Sequence, residues 1–482
     1  MDTVDMLAFS SDSVGTVEDK RTDQEAAAQG DAASIPTLPP APASLEETGL
    51  SPTFLMELIL KVIHYAETAR ADHISRLVAL PSRLVDELLA TLKEGQLCEV
   101  LASSGSLSSG YRYTLTDKGR VKAEEALARC RYAGAAPVTV DQYEQVVGDQ
   151  ASERWRPPRR TIEKAVETLV LDSKVTDLIQ RALRSGRCAM IFGSSGNGKT
   201  HLLDLFAHHL DGTVLVPHAL YAYGQVIKMF DPAVHVPVDA QATNAPAEGN
   251  DEPSPPANGG GVYDRRWLRI RRPGVLVGGE LTADSLELGY DPITHFYQAP
   301  VHVKAQGGVL VVDDFGRQKI PPRDILNRWI MAFERRRDNF MLQTGESLDL
   351  PFRVNLLFST NLDPASLADE AFLRRIPYKV CVLPPTPSQF KEILRRACEE
   401  RQIECSEETL AQAVQSILDA TNGQLKGCLA RDIVTIVIDN AEHDGHPPVL
   451  TPEAVSLACE QSLLAVSRQS GGSLPSSPEP QR

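Results

Sequence analysis

The sequence predicts an α/β chain: a parallel sheet flanked by helices, a helical segment after it, and a small helix-and-hairpin unit before it. Three observations predict this. Short, apolar, β-branched runs at Cys188–Phe192, Thr213–Val216, Val309–Val312 and Val354–Phe358 are separated by helical patterns, the alternation expected of a sheet covered on both faces. Beyond Pro384 helical periodicity takes over, in Ser388–Glu400, Glu407–Ala420, Leu425–Ala441 and Pro452–Ala465. Ahead of the sheet, Ser51–Arg131 reads as helices, two strands and a final helix.

In chain order, residues 1–49 are rich in Ala, Ser, Asp and Pro and hold ten acids against Lys20 and Arg21. Such a stretch buries too little apolar surface to offset its ordering entropy, so it is expected to be disordered. Residues 50–132 form the small unit. Phe54, Leu55, Leu58, Ile59, Val62 and Ile63 recur at helical spacing, and Pro81-Ser82 opens a second amphipathic helix carrying Leu84, Val85, Leu88, Leu89 and Leu92. A strand at Leu97–Leu101, a Ser/Gly turn, a strand at Tyr111–Leu115 and a helix from Thr116-Asp117 complete it. Residues 133–160 read as a linker and 161–384 as the α/β core, with a low-complexity insertion at about 236–262. Residues 385–466 are the helical segment and 467–482 a second disordered tail.

Composition excludes several classes. Of 482 residues, 42% are hydrophobic and 23% charged, which suits a folded chain of about two or three domains. The net charge of −15 is concentrated in the first segment, so the body carries no global basic signal. No apolar run approaches the roughly 18 residues of a membrane span. The acidic start Met1-Asp2-Thr3-Val4-Asp5 is unlike a secretory leader. Eight cysteines without C-x-x-C spacing predict free thiols in a reducing, cytoplasmic setting rather than zinc or disulfides.

The chemistry sits in four segments. Gly193-Ser194-Ser195-Gly196-Asn197-Gly198-Lys199-Thr200 is a G-x-x-x-x-G-K-T phosphate loop between an apolar strand and the helix beginning at His201. Its glycines let backbone N–H groups close round phosphates, Lys199 brings charge to the terminal phosphates, and Thr200 offers a hydroxyl to magnesium. Val309–Val312 ends in Asp313 and Asp314, the first a candidate magnesium ligand through water, the second a candidate orienter or base for an attacking water. A further strand ends in Asn361, placed to hydrogen-bond the γ-phosphate or that water. Arg374-Arg375 follow on a short helix and could reach a neighbouring subunit's nucleotide.

Taken in this order over residues 160–465, these segments resemble an AAA+ ATPase: phosphate loop, Walker B, sensor 1, arginine finger and helical lid, on a P-loop NTPase sheet. The resemblance implies ATP and Mg2+ as ligands, ATP hydrolysis, and ring assembly, commonly hexameric, with Arg374 or Arg375 completing a neighbour's site. Lys426 stands where the lid usually carries a sensor 2 arginine, with Arg431 further along, and Asp314 stands where the family usually has Glu. Phe340–Pro351 reads as a hairpin before Asn361, similar to the pre-sensor 1 hairpin of the MoxR, McrB and dynein side of the superfamily. Arg265–Val277 also reads as strand, turn and strand; its five arginines beside Trp267 either grip a polypeptide or nucleic-acid backbone, or pair with acids such as Glu280 and Asp284.

The 50–132 unit resembles a winged helix-turn-helix. From Glu57 to Arg131 it holds eleven Lys/Arg and ten Asp/Glu, without the clear basic footprint of a DNA binder. Three functions follow: a ring-forming motor or chaperone that remodels a protein partner, a DNA-associated regulator or loader holding DNA through the winged helix, and a nucleotide-dependent switch with little hydrolysis.

Overall fold

In a computed structural model of the chain, the described residues are 36–101, 111–152, 170–208, 210–238, 263–367 and 370–470. The central sheet is parallel throughout and five strands wide. Its order is Gly274–Val277, Val309–Val312, Asn355–Thr360, Ala189–Phe192 and Tyr378–Cys381. The runs are apolar at successive positions because both faces are covered. Met190, Leu310, Val312, Leu356 and Phe358 face the helix Pro322–Arg335 and its Trp329, while Ala189, Ile191, Val309, Val311 and Leu357 face the helices Ser173–Ser185 and Lys199–His208.

Thr213–Val216 does not join this sheet. Thr213–Pro217 pairs antiparallel with Trp267–Arg271, and the edge of the parallel sheet is taken instead by Gly274–Val277. Arg265–Val277 is therefore no hairpin: its two strands belong to different sheets. A second, mixed sheet in the order Gly289–Asp291, Phe296–Gln298, Gln225–Lys228, Ala219–Ala222 and Val138–Thr139 is built mainly from the stretch between phosphate loop and Asp313. The expected hairpin before Asn361 is present, as Arg337–Met341 against Ser347–Pro351, with Phe340, Leu348 and Leu350 buried and Met341 exposed.

The N-terminal unit consists of the helices Pro52–Ala66, Ala71–Leu77, Ser82–Glu94 and Asp117–Arg129 and a three-stranded antiparallel sheet in which Arg112–Leu115 lies between Thr68–Arg70 and Cys98–Leu101. Two of its helices begin at side-chain caps: Ser51 accepts from the Phe54 amide ahead of Pro52, and Thr116 accepts from Gly119. Its apolar core continues into the mixed sheet through Ala219 and Val226, with Phe54 against Tyr221 at 4.6 Å.

Three boundaries differ from the sequence reading. Residues 36–49 are folded: Glu46–Thr48 is a short 3-10 helix and Thr48 is fully buried. Composition misses this because, beside the packing of Leu38 and Leu45 on the core, the segment is held by its carbonyls: Pro36 O accepts from Arg269, Pro39 O from the Asp264 amide and Thr48 O from Arg266. The 133–160 segment contains the strand Val138–Thr139 and the helix Val140–Ser152, whose Tyr143 stacks on Trp267. The last helix, Pro452–Ser470, runs past residue 466. Residues 1–35, 239–262 and 471–482, and with them most of the two expected tails and the low-complexity insertion, lie outside the described residues.

The helical segment has four helices: Pro387–Glu400, Glu407–Ala420, Gly427–Asp444 and Pro452–Ser470. The first starts with a capping box in which Thr386 and Gln389 exchange hydrogen bonds, and the third ends on Gly445 in the left-handed region. Among the described residues no helix is long and apolar enough to cross a membrane, and no group of three or more His, Cys, Asp or Glu is clustered as metal ligands.

Candidate functional site

The strand order makes the site. The strand Asn355–Thr360 lies between the phosphate-loop strand and the strand that ends in Asp313, so three adjacent carboxyl ends open on one crevice, the usual ligand position of a parallel sheet. Register aligns them: Phe192 pairs with Thr360, and Val312 with Phe358. Gly193, Asp313, Asp314 and Asn361 thus leave the sheet at the same end.

Gly193 has φ 144, and a Cβ there would stand 2.2 Å from Val382 O, so only glycine permits the turn off the strand. Gly196 has φ 85 and packs under the helical segment: the Cys428 amide donates to Gly196 O at 2.8 Å. Within the loop, Asn197 Nδ2 donates to Ser194 Oγ at 2.8 Å, while Asn197 Oδ1 is buried without a partner. Ser195, Gly198 and Thr200 are exposed. Lys199 is buried, and its ammonium donates to Gly193 O at 3.0 Å and Ser194 O at 2.9 Å. Burial pulls the Lys199 ammonium below its usual range, with Asp314 and Asp313 opposing that shift.

The Asp313–Asp314 turn is braced from three sides. The Asp313 amide donates to Val277 O at 2.8 Å and the Phe315 amide to Ser359 O at 2.6 Å. Gln318 Nε2 donates to the carbonyls of Asp313 and Asp314 at 2.8 and 3.2 Å, and Thr360 Oγ1 donates to Phe315 O at 2.7 Å. Asp314 sits at φ 47, where a non-glycine residue needs such bracing. Asn361 Nδ2 donates to Asp314 Oδ1 at 2.9 Å, which joins the ends of two strands. Asp313 Oδ1 is buried and accepts no hydrogen bond. Gln318 and Thr360 were not legible as site residues, since amides and hydroxyls at strand ends are common and their role here is a tertiary one.

Arg374 and Arg375 take different roles. Arg374 is 74% exposed and, among the described residues, pairs with Glu370, one turn back, at 2.6 Å. Arg375 is half as exposed and pairs with Glu334 of the helix Pro322–Arg335 at 2.6 Å. On the other side of the loop, Lys426 precedes the helix Gly427–Asp444, whose N-terminus faces Gly196. His201, at the start of the phosphate-loop helix, has its imidazole pushed down by burial first and then by the charge of Arg431.

Four of the five arginines around Trp267 are engaged internally. Arg266 and Asp264 are both buried and paired at 2.8 Å, with Arg266 also donating to Thr48 O and Pro137 O. Arg265 donates to Ser75 Oγ and Leu80 O, Arg269 to Pro36 O and Arg272 to Gly307 O. These four are thus engaged by carbonyls, Ser75 and Asp264 rather than gathered as a surface cluster, while Arg271 is exposed.

Comparison with known proteins gives three findings. Residues 386–461, the helical segment, match a family described as a domain of unknown function (DUF8689). No curated protein matches the chain. Among solved structures, the chain is similar to the RuvB Holliday junction branch migration motor of Thermotoga maritima, at 14% identity and a TM-score of 0.34 over 61% of this chain and 70% of that one. It is similar also to NtrX from Brucella abortus (14% identity, TM-score 0.35, 71% and 66% covered) and to domain III of the Thermotoga maritima replication initiation protein DnaA (13%, 0.33, 61% and 95%).

Proposed function

We propose that the chain is a magnesium-dependent ATPase of the AAA+ kind that works as an oligomer, with a hexamer favoured, and remodels a protein partner. The observation that carries this reading is the convergence of Lys199, Asp313, Asp314 and Asn361 on one crevice, with Asn361 bonded to Asp314. In this reading Gly193 to Thr200 and His201 line the nucleotide. The two carbonyls that Lys199 now contacts are the partners it exchanges for phosphate oxygens. The helix Gly427–Asp444 turns its positive end toward the loop, and Lys426 adds a cation there, with Arg431 further along the same helix.

The donor set fits magnesium: Asp313 keeps a buried, unpartnered carboxylate oxygen, and Thr200 an exposed hydroxyl at the loop's exit. Bound there, the ion would neutralise charge on the triphosphate. Asp314 would hold and deprotonate the attacking water, and Asn361 would fix the carboxylate that does so. Asp is one methylene shorter than Glu, so the Asn361 hydrogen bond matters more for aiming it. Arg374 is the better candidate for completing a neighbouring subunit's site, because Arg375 is already held by Glu334.

The N-terminal unit reads as a winged helix that docks protein. The exposed face of Ser82–Glu94 presents Arg83 and Lys93 against Asp86, Glu87 and Glu94, which does not favour a phosphate backbone.

Calorimetric titration of the full chain with ATP tests the central assignment. Lys199→Ala is expected to weaken binding by about a hundredfold or more, the scale of two lost charge-assisted contacts. Unchanged affinity would reject the phosphate-loop reading.

A further inference from the structure

A second site lies away from the phosphate loop. Where the N-terminal unit meets the mixed sheet there is an open cleft of about 720 Å³, within the range of small-molecule sites. It shares no residue with the phosphate-loop crevice. Among the described residues two cations line it, Arg131 from the end of the N-terminal unit and Lys228 from the strand Gln225–Lys228, and no Asp or Glu does. Among the described residues neither cation makes an ion pair. Cations gathered in a cleft without an acid keep their attraction for an anion unspent.

The wall also carries aromatic rings among small and aliphatic residues. Phe230 lies between the rings of His218 and His235 at 5.8 and 5.7 Å, and Phe296 meets Tyr132 edge-on at 5.8 Å. The two histidines differ in what they can still do. His235 is saturated, with Nδ1 accepting from the Asp231 amide and Nε2 donating to Lys304 O. His218 makes no ring hydrogen bond among the described residues, and burial pushes its imidazole down to about 4, so it faces the cleft neutral, as one donor and one acceptor.

We propose that this cleft binds a small planar organic anion, with Arg131 and Lys228 on its carboxylate or phosphate, Phe230 and Phe296 against its ring, and His218 on a polar edge group. The class covers aromatic carboxylates and nucleoside monophosphates, which share a flat ring carrying a negative group.

The test uses the full chain and two fluorescent probes, 8-anilinonaphthalene-1-sulfonate and its uncharged counterpart N-phenyl-1-naphthylamine, titrated with saturating Mg-ATP present. The anionic probe is expected to bind one equivalent, and Arg131→Gln/Lys228→Gln to weaken it about tenfold or more while leaving the neutral probe unchanged. Arg131→Gln alone, at an exposed position, gives the same reading should the double variant fail to fold. Competition then separates the sources: displacement by 1-naphthoate assigns an aromatic carboxylate, displacement by AMP a nucleoside monophosphate. Equal binding of the anionic probe to wild type and variants, equal affinity for the two probes, loss of binding when Mg-ATP is added, or displacement by neither competitor overturns the proposal.

Discussion

Two arginine-rich segments invite the same reading and fold into opposite situations. Arg265–Arg272 look like a surface grip, yet Arg266 is buried against Asp264 and donates to the carbonyls of Thr48 and Pro137, while Arg265, Arg269 and Arg272 donate to those of Leu80, Pro36 and Gly307. Arg374 and Arg375 look like a common helix end, yet Arg374 stands exposed just ahead of the amino end of the edge strand Tyr378–Cys381, with Glu370 as its ion-pair partner among the described residues. Arginine count does not separate a fastening from a reactive group; what separates them is whether the guanidinium donors are already satisfied. Five donors in a rigid fork can bind several buried carbonyls at once, which is how a Pro-rich strand-less segment such as 36–49 becomes ordered.

The largest effect expected from this contrast is on turnover. Arg374→Ala should lower ATP turnover by about a thousandfold with ATP affinity and melting temperature unchanged, as for other arginines supplied between subunits. Mixing it with Asp314→Ala subunits should restore part of the rate, since each copy then supplies what the other lacks. Arg375→Ala should cost about tenfold, because it acts by positioning, through Glu334. Equal losses for the two, or no recovery on mixing, would break the distinction. Steady-state assays beside a melting curve measure both.

Next in size is a loss of stability with the chemistry intact. Arg266→Met leaves Asp264 buried without its partner and two carbonyls unsatisfied, and should destabilise the fold by about 3–5 kcal/mol. Adding Asp264→Asn should recover part of the loss, since the stranded charge is then gone. Denaturant unfolding checks both. A near-neutral Arg266→Met would mean that the segment 36–49 and the strand Trp267–Arg271 are held by something other than this pair.

How much was legible follows from the same physics. The phosphate loop, the strand before Asp313 and the strand before Asn361 were readable because each couples a local signal to a required neighbour: an apolar strand must precede the loop and a helix must follow it. The edge strand was not. Thr213–Pro217 and Gly274–Val277 have the same short, β-branched character, and nothing local says which one enters the parallel sheet. The bracing of Asp314 by Gln318, Thr360 and Asn361 was readable only at Asn361, whose position at a strand end carries a signal that a glutamine in a turn does not. The mixed sheet stayed unread because its strands are two to four residues long and interleave with the N-terminal unit, so its pairing is set by contacts far apart in sequence.

The smallest effect concerns a third set of basic residues, those of the N-terminal unit. Its helix Ser82–Glu94 buries Leu84, Val85, Leu88, Leu89 and Leu92 and presents more acids than bases to solvent. Arg70 and Arg76, on the neighbouring strand and helix, are both engaged by Asp72. Phosphate contacts release counterions, so a surface that grips duplex DNA shows an affinity that falls steeply with salt. Titrating the full chain with a mixed-sequence duplex at several salt concentrations is therefore expected to give weak binding and a nearly flat slope. A slope of about −4 or steeper, corresponding to roughly four or more neutralised phosphates, would mean that Arg112, Arg120 and the exposed bases of this helix act together on DNA, and the protein-docking role would give way to a DNA-holding one.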